Sequence, residues 1–174
     1  QSLKGTFRLA VLPTIAPYLL PRFFQQLSEK HTDLDIRMLE MKTAPTMAAL
    51  QNGEIDAAII ANQPTESNLQ GDILYYEQFF GYVAHNESIF KKDLIRTADI
   101  NDERLWLLDE GHCFRDQLMR FCQMEKVKVR QAAYRLGSLE TFMRMVESGN
   151  GITFIPELAT LQLSKEQKEL VRPF

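Results

Sequence analysis

The sequence of 174 residues predicts an α/β fold in which parallel or mixed sheets are flanked by helices. Segments with strand-like patterns alternate with segments whose apolar residues repeat at helical spacing, and this alternation favours parallel strands covered by helices. Hydrophobic residues make up 45% and charged residues 25% of the chain, which is typical of a globular protein. No apolar run approaches the ~18 residues that a membrane span needs.

The first half of the chain predicts three strands separated by two helices. The predicted strands cover 6–13, 34–41 and 57–60, and the predicted helices cover 16–31 and 44–56. The first helix is indicated by apolar residues at helical spacing, namely Leu19, Phe23, Phe24 and Leu27. Pro21 fits this helix only near its first turn. Gly53 closes the second helix, and we expect the strand after it to be buried.

The second half predicts further strands and one well-marked helix. The strand-like segments are 74–85, 104–108, 127–136 and 152–156. In residues 138–151, Ser138 is the expected N-cap and Gly149 the expected C-cap. The helix between them has an apolar stripe formed by Leu139, Phe142, Met143 and Val146.

Charge and cysteine content restrict the class of function. The net charge is −3, without a block of like charges. Phosphate contacts supply most of the affinity for nucleic acids, so we do not expect this chain to bind DNA by itself. Two cysteines are too few for the disulfide framework of a small secreted domain, which favours a cytoplasmic protein with reduced thiols. Because the sequence starts without a methionine or a signal pattern, we expect it to be a piece of a longer protein.

Both cysteines lie in the segment GHCFRDQLMRFC, residues 111–122, which predicts a helix. Asp109, Glu110 and Gly111 precede this helix, where negative charge and a flexible residue suit an N-terminus. One apolar stripe consists of Phe114, Leu118 and Phe121. Cys113 therefore lies in the first turn and Cys122 near the far end.

Helix geometry makes a bond between the two thiols incompatible with the helix. Nine helical residues rise by ~13.5 Å, whereas a disulfide requires Cα atoms roughly 4.4–6.8 Å apart. If Cys113 and Cys122 bond to each other, the segment has to unwind and its apolar stripe has to repack. Oxidation would then act as a conformational switch.

The surroundings of the two thiols predict different roles. A helix N-terminus and nearby cations favour the thiolate, and Cys113 has His112 beside it and Arg115 within reach. Cys122 follows Phe121 in an apolar setting and is expected to remain a protonated thiol. We interpret Cys113 as the peroxide-reactive residue and Cys122 as the resolving one. Simple packing is the alternative, since free cysteine is commonly buried. The spacing does not match a zinc site, and we expect no metal.

Four stretches resemble the effector-binding domain of LysR-type transcriptional regulators. They are GHCFRDQLMRFC, LPTIAPYLLPRF, AALQNGEIDAAII and SLETFMRMVESGNGITFIP, and the first resembles the redox segment of the peroxide-sensing members. The resemblance implies a periplasmic-binding-protein-like fold with lobes at 1–76 and 77–174 and a hinge near Glu77. It also implies a DNA-binding helix-turn-helix domain before Gln1, and a final strand and helix of the first lobe beyond Phe174.

The resemblance also implies a site. Cys113 matches the peroxide-reactive cysteine and Cys122 its disulfide partner. The implied peroxide pocket contains Thr14, Thr43, His112, Arg115 and Asp116. Hydroxyl groups both donate and accept hydrogen bonds, which suits them to hold a peroxide, although a helix cap is the alternative role for each threonine. Phe114 departs from the family, in which leucine is common at this position.

The function that follows is a redox-sensing regulatory domain of a hydrogen-peroxide-responsive transcription factor, not an enzyme, with no cofactor. The implied partners are hydrogen peroxide, a second copy in a homodimer, a tetramer of the full-length protein, a thioredoxin- or glutaredoxin-type reductant and RNA polymerase. DNA is bound only through the N-terminal domain, and no membrane is involved. One alternative is a domain gated by a small metabolite, because Thr14 and Thr43 also suit a carboxylate. Another is a peroxidase, which would turn over repeatedly with a reductant.

Overall fold

The structure is a computed structural model that describes residues 4–62, 64, 68–100, 104–108, 112–122 and 137–174. The chain forms two compact units, Gln1–Leu74 and Tyr75–Phe174. The lobe boundary predicted from the sequence, between Tyr76 and Glu77, lies two residues further along the chain. Within the described residues, no helix combines the length and the apolar character that crossing a bilayer requires.

The first unit contains a parallel sheet with a helix on each face. Its strands are β1 (Gly5–Val11), β2 (Leu34–Glu40) and β3 (Ala57–Ile59), and its helices are α1 (Ala16–Lys30) and α2 (Thr43–Gln51). The strand order is β2-β1-β3, and both pairings of β1 are parallel. The parallel arrangement predicted from the alternation of strands and helices is therefore confirmed in this unit.

Residues of β1 alternate between the two faces of this sheet. Leu9 and Val11 pack with Ala16 of α1, whereas Ala10 packs with Ala49 of α2 and Ile55. The alternation follows from the two-residue period of a strand.

Two details of the first unit differ from the sequence analysis. Pro21 is the sixth residue of α1 and thus lies in its second turn rather than its first. Strand β3 is half-buried, although a buried strand was expected.

The second unit is built around a sheet of three short strands. They are β4 (Phe79–Val83), β5 (Ile152–Pro156) and β6 (Val171–Arg172), in the order β5-β4-β6. The α-helices are α3 (Cys113–Phe121), α4 (Leu139–Glu147), α5 (Glu157–Thr160) and α6 (Lys165–Lys168), and two 3₁₀ helices span Ser88–Lys91 and Thr97–Asp99.

All three strands of this sheet pair antiparallel, so the expectation of parallel pairing is wrong here. The predicted strand 104–108 is reduced to a single parallel bridge between Leu105 and Ile152. The predicted strand 74–85 is shortened to β4. The predicted strand 127–136 lies outside the described residues.

Helix α4 forms as its sequence predicts. The hydroxyl of Ser138 accepts a hydrogen bond from the backbone N–H of Thr141, as expected of an N-cap. The predicted apolar stripe is buried in full and α4 packs against β5. Ser148 is the C-cap, and Gly149 after it has φ +90°, a conformation that glycine adopts without strain.

Candidate functional site

The two cysteines lie at opposite ends of α3. Cys113 is its first residue, directly after the N-cap His112, and Cys122 is its C-cap. The helix is continuous between them, and the backbone N–H of Cys122 donates to the carbonyl of Leu118 at 2.9 Å. Neither cysteine forms a disulfide in this structure, and both are buried, with only 5% of Cys113 and 9% of Cys122 exposed. The helix predicted between the cysteines is confirmed.

The length of α3 keeps the two thiols apart. Its nine residues separate the Cα atoms of Cys113 and Cys122 by about 13.5 Å, from the rise of 1.5 Å per residue. This is about twice the largest separation that a disulfide ordinarily spans, roughly 6.8 Å. In this conformation the cysteines do not react with each other.

Aromatic contacts hold the two ends of α3 unequally. Phe114 and Leu118 are buried, and the ring of Phe114 meets that of Phe79 edge-to-face at 5.0 Å between centroids. Phe121, the third residue of the predicted apolar stripe, is 50% exposed. Its ring contacts Phe174 edge-to-face at 5.4 Å. The stripe is therefore confirmed for two of its three residues, while the third lies at the surface.

The electrostatic settings of the two thiols differ. Burial raises the pKa of Cys122, so this thiol stays protonated at neutral pH. Cys113 lies at the N-terminus of α3, which is the positive end of the helix dipole.

The other predicted residues of this segment surround Cys113 at the start of α3. His112 is buried and makes no side-chain capping bond. Arg115 is half-buried, and its Nη1 donates to the carbonyl of Leu108 at 3.1 Å. Asp116 is exposed, so its side chain reaches solvent although it lies one turn after the buried Cys113.

The two predicted threonines lie in the first unit. Thr14 is buried in the turn after β1, directly before the N-cap Ile15. Thr43 is the first residue of α2, directly after the N-cap Lys42. Neither threonine occupies an N-cap position, so the structure does not support the alternative role of helix cap.

Sequence reasoning missed Thr46, which lies one turn after Thr43 on α2. Thr46 is fully buried, and its hydroxyl donates to the carbonyl of Lys42 at 2.8 Å. The stretch TAPT repeats threonine after three positions, which places both side chains on one side of the helix. This spacing could have indicated Thr46 from the sequence. Phe174, the ring partner of Phe121, was also missed, and no local pattern indicates it.

Comparison with known proteins assigns the family. The family model described as LysR substrate binding domain matches residues 1–174. A crystal structure of OxyR from Porphyromonas gingivalis is 58% identical with a TM-score of 0.90, covering 98% of this chain and 78% of that one. The chain belongs to the OxyR branch of the LysR family. A structure of reduced OxyR from the same organism is 56% identical with a TM-score of 0.89, covering 98% of this chain and 77% of that one.

A curated OxyR relative shows how much of a whole regulator the chain spans. The DNA-binding transcriptional dual regulator OxyR of Escherichia coli K12 is 31% identical over 159 residues, which cover 91% of this chain and 52% of that protein. The chain thus spans about half the length of this relative. Its membership of the LysR family confirms the predicted fold class, an α/β effector-binding domain with parallel or mixed sheets flanked by helices.

Proposed function

We propose that the chain is the redox-sensing regulatory domain of a hydrogen-peroxide-responsive LysR-type transcription factor. The observation that carries this proposal is the intact helix α3, which holds two buried, reduced cysteines at its opposite ends. A relative from Dickeya chrysanthemi, which is 30% identical to this chain, is named hydrogen peroxide-inducible genes activator. Its name supports hydrogen peroxide as the stimulus.

The chemistry begins at Cys113. Its thiolate attacks one oxygen of hydrogen peroxide, the O–O bond breaks, and the products are a sulfenic acid and hydroxide, which takes up a proton to become water. The Cys122 thiol then attacks the sulfenic sulfur, forming the disulfide and releasing a second water. The two thiols together supply the two electrons that reduce the peroxide. The raised pKa of Cys122 suits the resolving role, because this thiol does not compete for peroxide.

Forming the disulfide requires helix α3 to unwind from its reduced conformation. The Cα atoms of the two cysteines have to approach within roughly 6.8 Å, so the helix unwinds. Exposing one buried side chain such as Phe114 or Leu118 costs about 1.5–3 kcal/mol. About 1.4 kcal/mol corresponds to ~30 mV for a two-electron couple, so this cost makes the disulfide easier to reduce. Easy reduction suits a reversible switch.

Polar groups around Cys113 assist the reaction in this proposal. A peroxide needs donors for the attacked oxygen and for the departing hydroxide. His112 and Arg115 lie at the same end of α3 as Cys113, and the bond from Arg115 to Leu108 fixes its guanidinium. The roles of Thr14, Thr43 and Asp116 rest on the family resemblance.

The proposal for the whole regulator extends beyond this chain. Unwinding of α3 rearranges the surface of a cytoplasmic homodimer, or of a tetramer, and changes how the attached helix-turn-helix domains hold DNA and engage RNA polymerase. A thioredoxin- or glutaredoxin-type protein reduces the disulfide and restores α3.

Mass spectrometry of peroxide-treated protein tests the proposal. We expect the loss of two alkylatable thiols and a disulfide-linked pair of peptides that contain Cys113 and Cys122. The variants Cys113→Ser and Cys122→Ser should both lack this linked pair. Peroxide-treated wild type without the linkage would overturn the proposal. A metabolite that shifts the melting temperature of the double serine variant would favour the metabolite-gated alternative, and continuous peroxide consumption with a reductant would favour a peroxidase.

A further inference from the structure

Three aromatic rings connect the last turn of α3 to the sheet of the second unit. Phe121 meets Phe174 edge-to-face, with centroids 5.4 Å apart and an interplanar angle of 89°. Phe174 in turn stacks on Phe154 of β5, at 5.3 Å and 26°. We call Phe121, Phe174 and Phe154 the aromatic stack.

Phe174 is a fixed platform for Phe121. It packs against a buried apolar cluster that consists of Val83, Ile89, Ile95 and Ile152. The backbone beside it is also held, because the carbonyl of Pro173 accepts a hydrogen bond from the N–H of Ile95 at 2.9 Å. Arg172 donates through Nη2 to the carbonyl of Phe90 at 2.6 Å. The platform is therefore tied to the core independently of α3.

Phe121 differs from the buried residues of α3 because half of its surface is exposed. A half-exposed apolar side chain gains less free energy from burial than a fully buried one. The ring of Phe121 contacts the ring of Phe174. Phe121 directly precedes Cys122, so the Cα atoms of the two residues are about 3.8 Å apart and move together. The position of the resolving thiol is thus coupled to the ring contact.

We propose that Phe121 is a positioning residue of the switch, whose contact with Phe174 stabilises the last turn of reduced α3 and shifts the equilibrium toward the dithiol. This inference rests on the proposed function, because it concerns the same pair of cysteines. It adds a residue that reacts with neither peroxide nor thiol.

The unequal burial of the two ends of α3 indicates which contact is lost on oxidation. Cys113 and Phe114 are buried, and Phe114 is held by Phe79, whereas the last turn exposes Phe121. Bringing the Cα atoms of the two cysteines from about 13.5 Å to roughly 6.8 Å displaces the less buried end. Ring pairs interact favourably only with centroids about 4.5–7 Å apart, so this displacement breaks the contact between Phe121 and Phe174.

The test measures the dithiol–disulfide equilibrium in glutathione buffers of stepped composition, with the linked fraction read by alkylation and mass spectrometry. Phe121→Val removes the ring while keeping a similar helix propensity. We expect its equilibrium constant to shift about twofold to tenfold toward the disulfide, since an aromatic pair contributes that range. A tenfold shift equals about 30 mV. Phe121→Tyr keeps the ring and should keep the wild-type value.

Two further variants separate the ring contact from general destabilisation. Phe24→Val is the matched control, because Phe24 lies on α1 and is 39% exposed. Phe174→Leu keeps apolar bulk but removes the ring, so Phe121→Val should have little additional effect in that background. Urea unfolding of the reduced proteins confirms that each variant folds.

Different results would refute the positioning role of Phe121 and the proposed redox switch. If the wild type forms the disulfide and Phe121→Val has the same equilibrium constant, the positioning role is refuted and the switch stands. The positioning role is also refuted if Phe24→Val shifts the equilibrium constant as much as Phe121→Val does. It is refuted as well if Phe121→Val has the same effect in the Phe174→Leu background as in the wild type. If the wild type forms no disulfide between Cys113 and Cys122, the proposed function fails and this inference fails with it.

Discussion

Peroxide treatment that closes the bond between Cys113 and Cys122 should abolish helix α3. The intact helix keeps their Cα atoms about 13.5 Å apart, which exceeds the reach of a disulfide by about 7 Å. All nine residues of α3 lie between or at the bridged positions, and nine of 174 residues are about 5% of the chain. We therefore expect the helix content measured by circular dichroism to fall by about 5% of the residues of the chain.

Hydrogen exchange read by mass spectrometry localises the change. In the reduced protein the amides of α3 are bonded within the helix, from Asp116, whose N–H donates to His112 at 3.3 Å, to Cys122. These amides should lose protection when the disulfide forms. Helix α4 is an internal control of equal length, nine residues without a cysteine, and should keep its protection.

Peroxide-treated Cys122→Ser protein provides the second control, because it reacts with peroxide but forms no bridge. Its α3 amides should remain as protected as in the reduced wild type. If fully bridged wild-type protein also retained that protection, the incompatibility between helix and bond would be refuted. The reasoning that connects α3 to function would then fail.

Three further predictions concern single residues. In Cys113→Ser, Cys122 should remain alkylatable after peroxide treatment at neutral pH, because burial raises its pKa; oxidation at the wild-type rate would contradict this. Thr46→Val should lower the free energy of unfolding in urea by about 1 kcal/mol, because it removes a buried hydrogen bond; unchanged stability would show that the hydroxyl contributes nothing. Burial and a neighbouring carboxylate raise the pKa of Glu77 despite a hydrogen bond from Leu158, so its ionised form weakens the fold above that pKa, and the penalty disappears as the pH falls through it. Glu77→Gln should therefore raise the melting temperature at pH 7 by more than at pH 4, below the ordinary pKa of 4.5, and an equal change at both would exclude this titration.

The sequence predicts best where the determining signals are local. The N-cap Ser138 and the apolar stripe behind it define α4 within a dozen residues, and the structure contains that helix as predicted. The predicted strand 6–13 likewise corresponds to β1 (Gly5–Val11). In both cases the residues that determine the element lie close together in the sequence.

Strand direction in the second unit could not be predicted in this way. Phe79 of β4 pairs with Pro156 of β5, a residue that lies beyond α3 and α4 in the chain. A short apolar run indicates a strand but carries no information about the direction of its partner. The assumption that alternation continues from the first unit gave the wrong pairing for the same reason.

The site shows the same division between local and distant signals. Spacing and helix geometry were enough to separate Cys113 from Cys122, because both lie in one element. The spacing placed Phe121 in one apolar stripe with Phe114 and Leu118, but helical spacing alone does not indicate that Phe121 is half exposed. Its partner Phe174 follows β6, far along the chain, and only the folded unit brings the two rings together.

A comparison of α3 with α4 explains why α3 suits a switch. Both have nine residues, and a helix this short depends on tertiary contacts for its stability. Helix α4 has a side-chain cap from Ser138, which is worth about 1 kcal/mol, and buries its whole stripe. Within the described residues, α3 has no side-chain cap at His112 and exposes Phe121 in its last turn. Helix α3 therefore has fewer stabilising contacts than α4, and we expect it to unwind at a lower cost in free energy.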